Sequence, residues 1–378
     1  MTLKISTSFP KDTSAPLLEA LMPFANDVHL KTPHARRHYA MDNESCYQTW
    51  NQTAETLIEI TEPDDADLIL VPVNWYWVRR YNWRSQQNTA LKAALQAHCD
   101  GLRQHSKPIL VLFSGDRSCE PIALENVYVA RESIYASRAT EYDLILPAIC
   151  SDMLAEHEAI AEPEAPAQTS KPSISFCGLA RGLKITDPIL SIAYYALQFK
   201  RFGYVDVSPY KGEYLRNKVI KTLSKSTRLD THFIVRPTNM FIGQPDNAFR
   251  AKLRKEFINN MYGADYTLCI RGSGNFSFRF YEALSMGKVP VLIDTDNLLP
   301  FEDEIDWSKH IIRLTEDDLG SLDKVIANHR ATYTQAQWQQ LCAANRQLWL
   351  DYFTPEACLP RIFNSVIARH KKSNALTS

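Results

Sequence analysis

The segment from Tyr266 to Phe301 constrains the fold of this chain more tightly than any other stretch. It reads as a buried strand (Tyr266–Ile270), a loop of small residues (Arg271–Asn275), a short helix over about Ser277–Met286 and a second buried strand (Val289–Ile293). A strand that passes through a Gly/Ser/Asn loop directly into a helix gathers unpaired backbone N–H groups and the positive end of a helix dipole at one point. Such a point suits a phosphate or diphosphate. Arg271 stands at the strand's end and Arg279 in the helix's first turn, and Glu282 leaves the same helical face as Arg279.

Short apolar runs of this kind recur and alternate with helical patterns. Further strands are predicted at Leu3–Ser6, Leu68–Val73, Ile109–Phe113, Leu144–Pro147, Ile174–Cys177, His232–Val235 and Ile311–Arg313. Helices are predicted at Ala90–Arg103, Pro188–Phe202, Ala248–Tyr262, Glu316–Arg330, Gln335–Tyr352 and Pro355–Lys371. This alternation implies an α/β fold with parallel sheets and crossover helices. The Ala-, Pro- and Glu-rich stretch 156–172 has no sustained apolar face and reads as a linker. It separates two Rossmann-like domains, an N-terminal one (1–155) and a C-terminal one (173–352). A closing helix within 353–378 is expected to pack back on the first domain, and the two parallel sheets are expected to face an interdomain cleft.

A chain of 378 residues with 45% hydrophobic composition can bury two cores of ordinary size. The net charge of −1 argues against a dedicated nucleic-acid binder. The basic tail His370-Lys371-Lys372 reads as a solvated chain end, with peripheral membrane association as the alternative. No apolar run is long enough to span a bilayer, and the first residues lack the apolar core of a signal peptide, so a cytoplasmic location is expected. The eight cysteines show neither a Cys-x-x-Cys pair nor metal-ligand spacing and are expected to be free thiols. The sequons at Asn51 and Asn275 would go unused in a reducing compartment.

Several pieces stand in a fixed order. They are Leu268-Cys269-Ile270-Arg271-Gly272, then Ser277-Phe278-Arg279-Phe280-Tyr281-Glu282-Ala283, then Gly287-Lys288-Val289-Pro290-Val291, then Leu299-Pro300-Phe301. Upstream lie Thr61-Glu62-Pro63-Asp64-Asp65-Ala66-Asp67-Leu68 and Phe176-Cys177-Gly178-Leu179-Ala180-Arg181-Gly182. Together they resemble the exostosin-type glycosyltransferases, glycosyltransferase family 47. The chain departs from that pattern where the family's Gly-Arg-Asp-His segment is replaced by Phe113-Ser114-Gly115-Asp116-Arg117. The resemblance implies the GT-B fold and an inverting, metal-independent transfer from a nucleoside diphosphate sugar, UDP-linked, to a glycan or lipid-linked glycan acceptor. It implies a place in cell-surface polysaccharide synthesis, and a Glu282 that hydrogen-bonds the ribose hydroxyls.

Such a transfer needs positive charge at the departing diphosphate and a base for the acceptor hydroxyl. Candidates for the donor side are Arg271, Gly272, Ser273, Gly274, Asn275, Ser277, Arg279 and Glu282, because a guanidinium can grip two phosphate oxygens at once. Arg181 and Arg236 join them as residues at or just past strand ends, the edge where open α/β sheets bind ligands. The simpler reading of Arg279 is an ion pair with Glu282. Candidates for the base are Asp116, Glu44 and His38, with His34 beside them, and the aromatic run Trp75–Trp83 could pack on a sugar. Asp294-Thr295-Asp296 fits a strand exit better than a metal site, so no cofactor is expected beyond the sugar nucleotide co-substrate. Two rivals remain: a non-catalytic nucleotide- or glycan-binding protein with the same fold, and a dinucleotide-dependent oxidoreductase. The second is disfavoured because Gly272-Ser273-Gly274-Asn275-Phe276-Ser277 lacks the last glycine of Gly-x-Gly-x-x-Gly.

Overall fold

The computed structural model describes residues 2–8, 48–75, 86–122, 124–160, 171–182, 184, 186–202, 211–237 and 247–377. In chain order the elements are β1 (Leu3–Thr7), α1 (Gln48–Leu57), β2 (Ile58–Ile60), β3 (Leu68–Asn74), α2 (Gln86–Leu102), β4 (Ile109–Phe113), β5 (Tyr128–Arg131) and β6 (Asp143–Ile145). They continue with α3 (Met153–Glu158), β7 (Ser173–Leu179), α4 (Asp187–Phe202), α5 (Lys211–Leu223), β8 (Asp230–Arg236), α6 (Asn247–Tyr262), β9 (Tyr266–Ile270), α7 (Phe278–Ser285) and β10 (Val289–Ile293). The last are β11 (Ile312–Leu314), α8 (Leu322–Ala331), α9 (Gln335–Tyr352) and α10 (Pro355–Thr377).

The chain divides into two units. The first takes Met1–Ile149, Leu298–Pro300 and Tyr352–Ser378, the second Cys150–Asn297 and Phe301–Asp351. In the first, a parallel sheet runs β2-β1-β3-β4-β5-β6. Its central strands β3 and β4 are near-continuous apolar runs, as strands covered on both faces require. Ile69, Val71, Ile109, Val111 and Phe113 pack with Leu95, Cys99 and Leu102 of α2, and α10 packs on α1 and β3. In the second unit the order is β8-β7-β9-β10-β11, again parallel throughout. Phe176, Leu268 and Val291 meet Leu215 and Val219 of α5 and Ile326 of α8 in one core.

The two orders share a pattern: the chain starts inside the sheet, steps outward one way, then returns to the other side. The reversal falls between β1 and β3 in one unit and between β7 and β9 in the other. At such a reversal neighbouring connections leave on opposite faces and open a crevice at the strands' carboxyl ends.

The strands expected from apolar runs are present within one to two residues of their predicted bounds. Strands β2 and β5, and helices α1, α3 and α5, were not anticipated. β2 is only Ile-Glu-Ile following α1 without a break, too short for a period to show. The predicted helix Glu316–Arg330 is interrupted: a capping box at Thr315 starts a 3-10 turn at Glu316–Gly320, and Ser321 (φ −116°, ψ 2°) separates it from α8. The stretch read as a linker begins helically, since Asp152 caps α3 by accepting from the Ala155 N–H at 3.0 Å. Residues 161–170 of it lie outside the described residues.

Candidate anion site at the carboxyl ends of two central strands

Beyond Ile270 the chain turns through Arg271–Ser277 into α7. Asn275, 3% exposed, is the knot of this loop. Its Oδ1 accepts from Arg271 Nη1 (3.2 Å) and Thr295 Oγ1 (2.7 Å), and its Nδ2 donates to the Asp296 carbonyl (3.0 Å). Asn297 completes the stitch, donating to the Asn275 carbonyl at 2.8 Å and accepting from the Thr295 N–H at 3.0 Å. The loop is thereby fastened to the turn after β10. Arg271, also buried, curls over its own loop and donates to the Ser273 carbonyl at 2.8 Å. Asn275 and Arg271, expected to reach a donor, hold the loop's shape. The burial of Asn275 also closes its sequon. Ser273 is exposed and Gly272 half-exposed, while Gly274 is buried. A Cβ on Gly212, in the first turn of α5, would come within 2.2 Å of the Gly272 carbonyl, so the start of α5 lies directly against the loop.

Arg279 turns back beneath β7. Its Nε and Nη2 donate to the Cys177 carbonyl at 3.1 and 2.6 Å, and its guanidinium lies 4.5 Å from the centre of the Phe176 ring. Only glycine fits at position 178, where a Cβ would sit 2.0 Å from Arg279 Nη2. Burial pulls this guanidinium down from the ordinary arginine range, with the charge of Glu282 opposing. No carboxylate among the described residues lies within ion-pairing distance of it. The simple pair with Glu282 is therefore not formed. Glu282 is 8% exposed and has Arg254 of α6 at 3.7 Å. Burial raises its carboxyl, and Arg254 and Arg279 pull it back. Arg254 is itself held in a two-pronged bond to Glu156 of α3, at 2.8 and 2.7 Å.

Arg216 of α5, which the sequence reading missed, joins the two strands. It donates to the carbonyls of Leu179 (3.2 Å) and Ile270 (3.0 Å), the last residues of β7 and β9. Its signal was the spacing of Leu215, Val219, Ile220 and Leu223, all buried, which marks one face of a helix. Arg216, Arg271 and Arg279 thus gather at the sheet's reversal point. Beside them, Ser277 opens α7 in an extended conformation, but its hydroxyl makes no cap bond. Its Oγ is buried without a partner in a residue 6% exposed. A buried orphan hydroxyl is uncommon, and a ligand oxygen is one way to complete it.

The remaining candidates sit elsewhere. Arg181 bridges two carboxylates, Glu213 of α5 and Asp187 at the start of α4 (3.1 Å), and these compete with any phosphate. Arg236 ends β8 but is paired with Glu256 of α6 and donates to the Cys177 thiol at 3.6 Å. Neither guanidinium is presented as a phosphate contact. Asp294 accepts from the Asn297 N–H (2.7 Å) and Arg313 Nε (2.8 Å), as a strand-exit residue would. Asp116 is exposed in the turn after β4. Glu44, His38 and His34 lie outside the described residues, as does the aromatic run beyond the buried Trp75. The seven described cysteines are free, and no described helix is long and apolar enough to cross a membrane.

A parallel α/β sheet with cationic side chains and a helix start at its reversal point defines the class of nucleotide-fold proteins that take anionic ligands at strand ends. Residues 202–329, which span α5 to α8, match the model of the exostosin GT47 domain. A stretch of 72 residues is 35% identical to the probable glucuronosyltransferase GUT1 of rice, Oryza sativa subsp. japonica, covering 19% of this chain and 17% of the relative. Another of 100 residues is 33% identical to exostosin-1 of Drosophila melanogaster, covering 26% of this chain and 13% of that protein. The matched stretches thus span less than a fifth of these relatives. Among solved structures, a glycosyltransferase from Rickettsia africae overlaps 98% of this chain and 97% of its own, at 10% identity and a TM-score of 0.36. At that score the overlap adds no weight to the fold, which rests on the strand order above.

Proposed function

We propose that this protein is a glycosyltransferase that moves a sugar from a nucleoside diphosphate donor, UDP-linked, to a hydroxyl of a glycan or lipid-linked glycan acceptor. The acceptor oxygen forms the bond to the anomeric carbon as the carbon–oxygen bond to the diphosphate breaks, its electron pair leaving with the nucleotide. The observation that carries this reading is Arg279, a guanidinium with no carboxylate partner, beside the orphan hydroxyl of Ser277 at the start of α7. Preorganised positive charge of this kind favours the transition state, in which the departing phosphate gains charge. Attack from the opposite side of the anomeric carbon, and hence inversion, is part of the proposal. So is independence from a metal: the guanidiniums and the helix start would stabilise the leaving group, and Asp294 is already engaged. The acceptor would be reached from the cytoplasmic side, in cell-surface polysaccharide synthesis.

The test is UDP release from a panel of UDP-sugars, with wild type and Arg279→Ala, in buffer and in EDTA. Expected are turnover of at least one donor, a hundredfold or greater loss in the variant, on the order seen when a transition-state donor is removed, and no effect of EDTA. Equal turnover by both proteins removes Arg279 from the mechanism. UDP bound without turnover of any donor would make this a nucleotide-binding protein.

A further inference from the structure

Helix α4, in the second unit, is built inside out. Its first residue, Asp187, is buried and fixed in place. It accepts from the Lys184 N–H at 2.7 Å and from Arg181 Nη1 at 3.1 Å, and Arg181 is held in turn by Glu213 of α5. From that anchored start the sequence runs Pro-Ile-Leu-Ser-Ile-Ala-Tyr-Tyr-Ala-Leu-Gln-Phe over 188–199, a stretch without a single charge. A surface helix ordinarily turns such residues to the core, as α5 does with Leu215, Val219 and Leu223. In α4 the half-buried residues include Ser191 and Tyr195, four apart on one face. Ile189, Leu190, Ile192, Leu197 and Phe199 point away from that face and are 48–69% exposed.

These side chains form one surface. Ile189, Ile192, Ala196 and Phe199 follow at three- and four-residue steps, and Leu190, Ala193 and Leu197 make a second row beside them. Five of the nine large apolar side chains exposed among the described residues lie on this one helix, so they are a patch and not a scatter. Its margins are cationic. Lys184 stands just before the helix and Lys200 near its end, both exposed, whereas Asp187, the sole carboxylate between them, is buried against Arg181. Lys200 comes four residues after Ala196, so its aliphatic stem can lie along the apolar face while the ammonium reaches outward. An apolar face bounded by cations matches a bilayer surface with anionic headgroups. A second copy of this face matches it less well. Packed antiparallel, the two helices would set Lys200 against Lys184, and packed parallel they would set each lysine against its own copy. With 16 residues α4 is too short to span a bilayer, but it can lie in the plane of one.

We propose that α4 is a docking helix for an anionic lipid surface. Ile189, Ile192, Leu197 and Phe199 enter the boundary between headgroups and acyl chains, and Lys184 and Lys200 meet the headgroups. The seat of attachment is this helix of the second unit and not the basic tail His370-Lys371-Lys372. Because α4 follows β7, the docked helix begins on the same sheet edge as the anion site.

The experiment is co-sedimentation of the full chain with vesicles of phosphatidylglycerol and phosphatidylcholine, and with phosphatidylcholine alone, alongside melting temperature and sedimentation velocity. Wild type should bind the anionic vesicles at least about tenfold more tightly than the neutral ones, and less tightly as salt is added. Ile192→Gln/Phe199→Gln should weaken that binding by about tenfold or more at an unchanged melting temperature. Lys184→Gln/Lys200→Gln should weaken it by about twentyfold, a factor of about five per charge. Lys371→Gln/Lys372→Gln should bind as wild type does. Wild type that ignores anionic vesicles overturns the proposal, and so does full binding by either α4 variant. A lower melting temperature in Ile192→Gln/Phe199→Gln would show the face covered within the monomer, and dimers in place of vesicle binding would show a second copy on it. Either result overturns the proposal, as does binding lost in the tail variant alone. Vesicle binding needs no sugar donor, so its failure leaves the sugar-transfer reading untouched.

Discussion

The carboxyl edges of the two sheets are built on one strand order and carry opposite charge. In the second unit, β7 and β9 end among Arg216, Arg271 and Arg279, each of which donates to at least one main-chain carbonyl. In the first, β4 and β5 end at Asp116 and Glu132, and the carboxylate is satisfied by a main-chain N–H. Each edge thus uses a main-chain group of a neighbouring strand or loop to hold a charged side chain, the Cys177 carbonyl for Arg279 and the Gly115 N–H for Glu132. The cation gains least from the low dielectric unless an anion arrives, and the carboxylate avoids its charge until the pH or a substrate favours it. A strand edge therefore sets where chemistry can happen, and a few loop residues set its sign.

The largest effect that could break this comparison is at Arg279. Truncation to alanine removes both bonds to the Cys177 carbonyl and the packing on Phe176. Turnover should fall by about 10²–10³. A drop confined to stability would show the edge to be structural. Next is Asn275→Ala, which deletes the knot between the two loops. Chemical denaturation should show a loss of about 2–3 kcal/mol, because it removes several buried hydrogen bonds and leaves the Thr295 hydroxyl without its acceptor. An unchanged midpoint would mean the loop keeps its shape without this residue.

On the acidic edge the sign reverses. The folded carboxyl of Glu132 sits near 7, above its usual 4.5, so the folded protein holds that proton over the interval in which the unfolded chain has released it. Stability from this group is fully present below about 4.5 and is lost as pH rises through about 7. Glu132→Gln should therefore be more stable than wild type at pH 8, by about 2 kcal/mol after allowing for partial solvent access. The gain should vanish near pH 5. A buried carboxylate that lowers stability when charged is more often kept for a functional reason than a structural one. Equal melting temperatures at both pH values would remove the argument.

Much of this was legible in the sequence, and the failures share a cause. The runs Ile109–Phe113, Tyr266–Ile270 and Val289–Ile293 are strands at their predicted residues, because a sheet covered on both faces needs unbroken apolar stretches. The loop before α7 was legible from its glycines and its position after a strand. What Arg271, Arg181 and Arg236 touch was not legible. Their partners lie up to 59 residues away in sequence, on elements such as α5 that the reading missed or could not place in space. Glu132 was invisible for the same reason. Its environment comes from Gly115, across a strand pair whose second member, Tyr128–Arg131, is too short to announce itself.

The smallest effect is expected at Arg236, and it sharpens the contrast within the second unit. Arg236 and Arg279 both rest on Cys177, one donating to its thiol and the other to its carbonyl. They differ in that Arg236 has Glu256 as a partner, whose side chain is 42% exposed. Arg236→Met keeps the volume of the side chain and removes the charge, and Glu256 can return to water. Replacing a buried ion pair by apolar packing is commonly close to neutral. Stability should therefore change by no more than about 1 kcal/mol, and donor KM by less than about threefold, since this guanidinium is already neutralised. A tenfold rise in KM would instead mean that Glu256 yields its partner to the donor. The cationic edge would then extend from β9 across β7 to β8.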